Sequence, residues 1–278
     1  MKQIFDDISA RFSKATTRTY STSFSLGIRF LDKELHAPIY AIYGFVRFAD
    51  EIVDSFHGFD KVYLMQQFRA ETEQAICQRV SLNPILNSFQ KAVHDYDIEW
   101  DLIDVFLQSM EMDLFPMQYD RESYDSYIVG SAEVVGLMCL HVFTLGDKKL
   151  YDRLKPFAEK LGAAFQKVNF LRDAKADLAD LGRNYFPNVD LTAFSKDDKS
   201  IIEQEIEADF KEALEGIKQL PTSSKRGVYL AYVYYYSLFN KIKFASPKEV
   251  LTSRIRIPNG EKILLMCRSM VQYKLNLL

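Results

Sequence analysis

Glycine and proline are scarce. The chain has 278 residues but only 11 Gly and 8 Pro, together about 7% against the roughly 12% of average usage. So few breakers exclude a chain of many short strands and turns, and with it a sandwich, a barrel or a Gly-rich dinucleotide-binding sheet. Cysteine is also rare. Cys77, Cys139 and Cys267 are far apart and odd in number, so neither a disulfide framework nor a Cys-based zinc site is signalled, and a reducing compartment fits. Excess charge is lacking too, with a net −3 and a pI of about 5.9. A nucleic-acid-binding domain would be strongly basic. The first residues, MKQIFDDISARF, carry acids at 6 and 7 and no apolar core, unlike a secretory leader. The longest apolar stretch, 134–146, is interrupted by His141 and falls short of the roughly 18 residues of a span. The expectation is a cytoplasmic protein, with peripheral membrane contact left open.

What is present is apolar and helical in spacing. Hydrophobic residues make up 48% of the chain, and it holds 21 Phe and 16 Tyr. That is ample for a large core, and the aromatic faces can line an apolar pocket or stabilise cations. Ile39, Ile42, Tyr43, Val46, Ala49, Ile52 and Val53 form one helical stripe. Residues 134–143 read as a helix apolar all round, hence buried. Residues 157–178 read as a long helix starting near Pro156, a residue favoured in a first turn. Further helices are predicted over 195–220, 227–244 and 261–278. Loops carry the breakers at 57–58, 83–84, 182–187 and 258–260. No repeat or linker divides the chain, so residues 1–278 read as one all-α domain.

Three D-x-x-x-D pairs occur, where chance spacing of 22 Asp predicts about two, so a pair alone means little. Context separates them. Asp97 and Asp101, with Asp104 one turn on, oppose Ile98, Leu102 and Val105, as on the solvated face of an amphipathic helix. Asp50 and Asp54 instead sit in Y-G-F-V-R-F-A-D-E-I-V-D, on one face of a mostly apolar helix, with Arg47 a turn earlier. Gln166, Asn169, Asp173, Asp177 and Asp180 form a polar stripe on a helix whose other faces carry Leu161, Phe165, Val168 and Leu171, with Arg172 beside it. Burying paired carboxylates is costly unless cations or donors receive them. Two such helices facing each other across a cavity would hold Mg²⁺, which takes one or two carboxylates and leaves room for substrate phosphates. An internal salt-bridge network of Arg47 and Arg172 with these acids accounts for the same spacing.

The motifs together resemble one family. Y-S-T-S-F (20–24), Y-A-I-Y-G-F-V-R-F-A-D-E-I-V-D (40–54) and G-A-A-F-Q-K-V-N-F-L-R-D-A-K-A-D-L-A-D-L-G-R-N-Y-F-P (162–187) are similar in order and separation to the squalene/phytoene synthase family of head-to-head isoprenyl synthases. The resemblance implies an all-α isoprenoid-synthase bundle around a central cavity, holding Mg²⁺, or Mn²⁺ in its place, on a prenyl diphosphate. Position by position it implies Asp50, Asp54, Asn169, Asp173 and Asp177 as metal ligands or their close partners, with Gln166 beside them. Ser21 and Ser23 match hydroxyls on the diphosphate. Arg47, Arg172, Arg254 and Lys262 match basic diphosphate-binding positions, and Tyr43 and Tyr235 tyrosines near the reacting carbons. One segment departs from the family pattern. Y-I-V-G-S-A-E-V-V-G (127–136) places Val129 where the family has a tyrosine and Glu133 where it has glycine. Tyr127 or Tyr124 is the candidate substitute for that tyrosine.

The implied reaction joins two allylic diphosphates head to head. The compact form looks like bacterial enzymes making phytoene from two geranylgeranyl diphosphates. The alternative is a squalene or dehydrosqualene synthase using farnesyl diphosphate, the squalene enzyme with NADPH. A terpene cyclase and a non-catalytic family relative are the remaining classes, and the four intact aspartates weigh against the latter. Ile28, Phe45, Val135, Met138, Leu161 and Phe165 are the expected walls of the tail pocket, and the aliphatic ones favour the longer substrate. The expected partners are prenyl diphosphate substrates and no nucleic acid, with peripheral membrane contact serving product release.

Overall fold

The computed structural model describes residues 1–115, 118–180 and 183–274. Its elements in chain order are α1 (Lys2–Tyr20), α2 (Thr22–Arg29), α3 (Lys33–Ser55), α4 (Lys61–Gln78), α5 (Pro84–Asp95), α6 (Trp100–Met112), α7 (Arg121–Ile128), α8 (Val134–Phe143), α9 (Lys148–Asp180), α10 (Lys196–Gln219), α11 (Thr222–Phe244), α12 (Pro247–Thr252) and α13 (Asn259–Lys274). A π-helical stretch, Val129–Glu133, joins α7 to α8, and a 3₁₀ turn spans Leu191–Ala193. Among the described residues there is no strand. Residues 275–278, the predicted end of the last helix, and Gly182 in the predicted 182–187 loop lie outside the described residues, as does the Asp180 side chain.

Local chemistry explains the helix ends. Asn83 caps α5 through its side chain, with Pro84 in the first turn where no N–H is needed. Ser195 and Asp198 form a reciprocal capping box at the start of α10, as do Ser246 and Glu249 at α12. Two predicted boundaries differ. Pro156 does not begin a helix but lies inside α9. It is exposed and forfeits one ladder hydrogen bond, while buried residues before and after it, Leu154, Ala163 and Ala164, anchor the helix. Asp97 is not helical at all. It takes φ +50 in the turn before α6, a conformation Asp tolerates better than most residues, so Asp97 and Asp101 are both exposed but share no helix face.

Six helices surround a central cavity of about 570 Å³. Helices α3, α9 and α11 run from its closed end toward its mouth, and α2, α8 and α10 run back. The pairing of α9 with α10 shows this antiparallel sense. Lys167 meets Glu205 and Asp209, while Gly216, further along α10, faces the earlier Phe157. Lys167 and Asp209 are both buried, and their 2.7 Å bond lies outside the cavity lining.

Helix α3 has two apolar faces. Ile39, Ile42, Tyr43 and Val46 line the cavity. Phe45 turns the other way and stacks on Phe89 at 3.9 Å between centroids, with Phe68 and Phe106 beside it. Phe45 is thus a core residue and not the predicted wall residue. Met138 is likewise fully buried and outside the cavity lining, because α8 presents Val135, Gly136, Cys139 and Phe143 inward. Ile28, Val135, Leu161 and Phe165 do line it. The continuous helical run Arg121–Phe143 is long and apolar enough to cross a bilayer by length and composition, which the 134–146 window alone did not suggest. Half of its apolar window is buried within the bundle, as for the core helix of a globular protein.

Phe45→Ala should lower stability by about 3–5 kcal/mol, the usual cost of emptying a buried phenylalanine site. Phe244→Ala, at a side chain 91% exposed, should leave the melting temperature nearly unchanged. Thermal melts of both variants check the two-faced reading of α3.

Candidate functional site

The acidic residues of α3 and α9 meet at the mouth of the cavity. Asp50 and Asp54 come from the last two turns of α3, and Asp173 and Asp177 from the end of α9. Gln166 and Asn169 line the same wall below them. The Asn169 amide donates to Gln166 Oε1 at 3.4 Å, and its own Oδ1 is buried without a hydrogen bond.

Arginines hold Asp50, Asp54 and Asp173 in place. Arg47 pairs with Glu51 and lies 3.9 Å from Asp50. Arg172 pairs with its neighbour Asp173, and Arg254 reaches the same carboxylate at 2.8 Å. Both readings of the spacing therefore apply at once: the two helices face each other across a cavity, and salt bridges link the acids to arginines.

Two further residues complete the mouth. Arg183 spans it, donating to Asp54 Oδ1 at 2.9 Å and to the backbone carbonyl of Asp113 at 2.7 Å. Asp113, buried just after α6, accepts from the Tyr127 hydroxyl at 2.5 Å and the Tyr185 hydroxyl at 3.2 Å. Arg183 and Tyr185 belong to the G-R-x-Y-x-P end of the 162–187 motif, which is the signal that could have found them. Asp113 is a single Asp in a turn, and no spacing marks it. Tyr127 lines the cavity, whereas Tyr124 packs on Phe170 and Phe186. Val129 and Glu133 are outside the cavity lining. Glu133 lies instead toward Glu159, Lys160 and Lys167; burial and the nearby Glu159 push its carboxyl up to about 7.

Below the charged mouth lies an aromatic layer. Phe24 sits 5.7 Å from Tyr43 and 5.8 Å from Tyr235, and Tyr235 stacks on Phe165 at 3.9 Å. Burial raises the pKa of both tyrosines, Tyr43 to about 12, so they face the cavity as neutral phenols. Ser21 caps α2 and lines the cavity beside Tyr43. Ser23 and Lys262 are not brought to it. Lys262 bonds Thr22 Oγ1 at 2.7 Å and lies over Tyr234.

The electrostatics ask for cations. Burial and the charge of Asp54 push the Asp50 carboxyl up to about 7. Burial and the charges of Asp173 and Asp54 do the same to Asp177. Asp113 rises to about 6, burial outweighing Arg183 and the Tyr127 hydrogen bond. Among the described residues no three His, Cys, Asp or Glu close into a ready-made cage. All-oxygen donors on facing walls fit a hard divalent cation that takes one or two carboxylates and fills its remaining positions from water and phosphate. The unpartnered Asn169 oxygen fits the same group.

A family model described as squalene/phytoene synthase matches residues 17–261. The chain belongs to the squalene/phytoene synthase family. A presqualene diphosphate synthase of Rhodopseudomonas palustris is 28% identical over 60% of this chain and 58% of its own length. A phytoene synthase of Mycobacterium bovis is 25% identical over 65% of this chain and 58% of its own. The chain thus spans less than two thirds of the length of these curated relatives. In fold, a crystal structure of a dehydrosqualene synthase in complex with ligand superposes with a TM-score of 0.82, covering 97% of this chain and 98% of that one at 18% identity. The predicted all-α architecture around a cavity is the fold observed.

The raised carboxyl pKa values have a sign. A carboxyl that binds its proton more tightly when folded costs no stability below about pH 4, and the cost grows as pH rises to about 7 and then levels. Asp50→Asn should therefore raise the melting temperature of the metal-free protein at pH 8 and by much less at pH 5. Melts in chelator at both pH values check this, and an equal gain at pH 5 would contradict it.

Proposed function

We propose that this chain, acting as one domain, is a prenyltransferase that condenses two geranylgeranyl diphosphates head to head to phytoene. The observation that carries the reading is the continuous α9 wall, polar from Gln166 to Asp177 and apolar from Leu154 to Phe165. One end suits a diphosphate and the other a hydrocarbon tail.

Length supports the C20 tail. Asp173 and Phe157 are sixteen positions apart on α9, or about 24 Å at the helical rise. An extended isoprene unit adds roughly 5 Å over its four bonds. Four units therefore run most of the wall, while three stop well short. A second reading, condensation of two farnesyl diphosphates to squalene, with NADPH, or to dehydrosqualene, draws on the presqualene diphosphate synthase relative.

Asp50, Asp54, Asn169, Asp173 and Asp177 would hold Mg²⁺, or Mn²⁺ in its place. When bound, the cations neutralise charge on the departing pyrophosphate. Arg47, Arg172 and Arg254 hold the diphosphate oxygens from the walls, and Ser21 donates a hydroxyl. Arg183 is placed to exchange Asp54 for a phosphate. These donors are fixed where charge develops, so they need little reorganisation as the C–O bond breaks. The allylic cation left behind meets the faces of Phe24, Tyr43, Phe165 and Tyr235, which stabilise it without offering a nucleophile. The apolar walls exclude the water that would quench it. Attack by the second chain's double bond and loss of a proton give a cyclopropylcarbinyl diphosphate. Pyrophosphate takes that proton, and a second ionisation, a ring-opening rearrangement and loss of a second proton give the linear product.

Purified protein with Mg²⁺ should convert geranylgeranyl diphosphate to a C40 hydrocarbon at higher kcat/KM than farnesyl diphosphate to a C30 one. Efficient C30 formation with negligible C40 product would overturn the substrate assignment, and NADPH dependence of that product would mark the squalene reading. Asp54→Ala and Asp177→Ala should each lower turnover by several orders of magnitude, while Asp97→Ala stays near wild type. Undiminished turnover in chelator would remove the cation site.

A further inference from the structure

Glycines of the cavity wall mark where helices approach closely. At Gly136 and Gly162 an added Cβ would meet backbone, Ala158 O at 3.0 Å and Ala132 O at 2.6 Å. These two let α8 and the π-helical stretch approach α9. At Gly216 the Cβ would meet the root of the Phe157 side chain. It would sit 2.2 Å from Phe157 Cβ and 2.8 Å from its Cγ, distances real atoms do not adopt. Gly216 thus lets α10 approach α9 at the root of Phe157, whose side chain lines the cavity.

Phe157 is the bulkiest α9 side chain at the closed end of the cavity, with Leu154, Ile217 and Leu220 as its neighbours in the lining. It stands about 24 Å along α9 from Asp173. A four-unit tail anchored at the mouth ends near its ring. A three-unit tail ends above it, and a five-unit tail, at about 25 Å, would have to pass it.

We infer that Phe157, rooted at the close contact of α9 with α10, sets the longest prenyl tail the cavity accepts. The inference rests on reading the cavity as a prenyl diphosphate pocket, so the experiment tests the two separately. Binding is measured with unreactive analogues in which sulfur replaces the bridging oxygen of farnesyl (C15), geranylgeranyl (C20) and geranylfarnesyl (C25) diphosphate, in the presence of Mg²⁺. Wild type should bind C15 and C20 and bind C25 at least tenfold more weakly than C20. Phe157→Ala should shift the C25-to-C20 affinity ratio at least tenfold toward C25 and leave C15 affinity within twofold. A merely structural role would weaken all three tails together. Phe157→Leu should shift the ratio in the same direction by less, which keeps the test alive where alanine impairs folding. A C25-to-C20 ratio unchanged in both Phe157 variants, or a parallel fall in C15, would overturn the inference while the prenyl pocket stands. Failure of wild type to bind any of the three would overturn the pocket reading itself, and the inference with it.

Discussion

Like charge gathered at the mouth of an apolar cavity is the constraint on which the rest of the structure depends. Asp50, Asp54, Asp113, Asp173 and Asp177 repel one another where water is partly excluded. Two responses are visible. Part of the charge is suppressed, since Asp50 and Asp177 hold protons up to about pH 7. The rest is met by arginine from several segments: Arg47 on α3, Arg172 on α9, Arg183 after it, and Arg254 after α12. Arg forks suit this task better than lysine because each can bridge two acceptors in a fixed plane. Arg183 does so between Asp54 and the Asp113 carbonyl.

The same arrangement grades the cavity along its length. Charged groups occupy the mouth, aromatic rings the middle, and aliphatic and phenylalanine side chains the closed end. A ligand with an anionic head and a hydrocarbon tail can satisfy this gradient in one orientation only. Reversing it would bury phosphate against Leu154 and Ile217, at a desolvation cost no local donor offsets. Orientation is therefore fixed by polarity before any specific contact is made.

Much of this was legible because it is periodic. The Asp pairs, Asn169 and Gln166 recur at helical spacing on otherwise apolar helices, and that pattern survives folding intact. The scarcity of breakers likewise announced long helices. What could not be read depended on neighbours distant in sequence. Phe45 and Met138 are as apolar as the true wall residues, and only the packing of α5 and α6 behind them decides which face they take. Asp113 belongs to no repeat, and its role at the mouth comes from Tyr127, Tyr185 and Arg183 converging on it. Asp97 looked helical by spacing, but a single left-handed residue ends the phase between α5 and α6. Pro156 looked like a beginning because a first turn is where proline costs least; α9 runs through it, anchored by the buried Leu154 before it and Ala163 and Ala164 after it.

The buried Lys167–Asp209 pair, on the side of α9 away from the lumen, has a mechanical consequence. Sliding α9 along α10 by one turn, about 5.4 Å, would break a buried network in which Lys167 also meets Glu205 and Asp209 also meets Lys160, and desolvated charges make such a break costly. The pair therefore pins the register of the two helices. Phe157 and Asp173 ride on the same rigid rod, so the distance between floor and mouth is fixed by the helix, and the rod itself cannot shift like a piston. A gauge of this kind keeps a constant zero: ligands of different length must bend, protrude or be refused, since the cavity cannot lengthen to suit them.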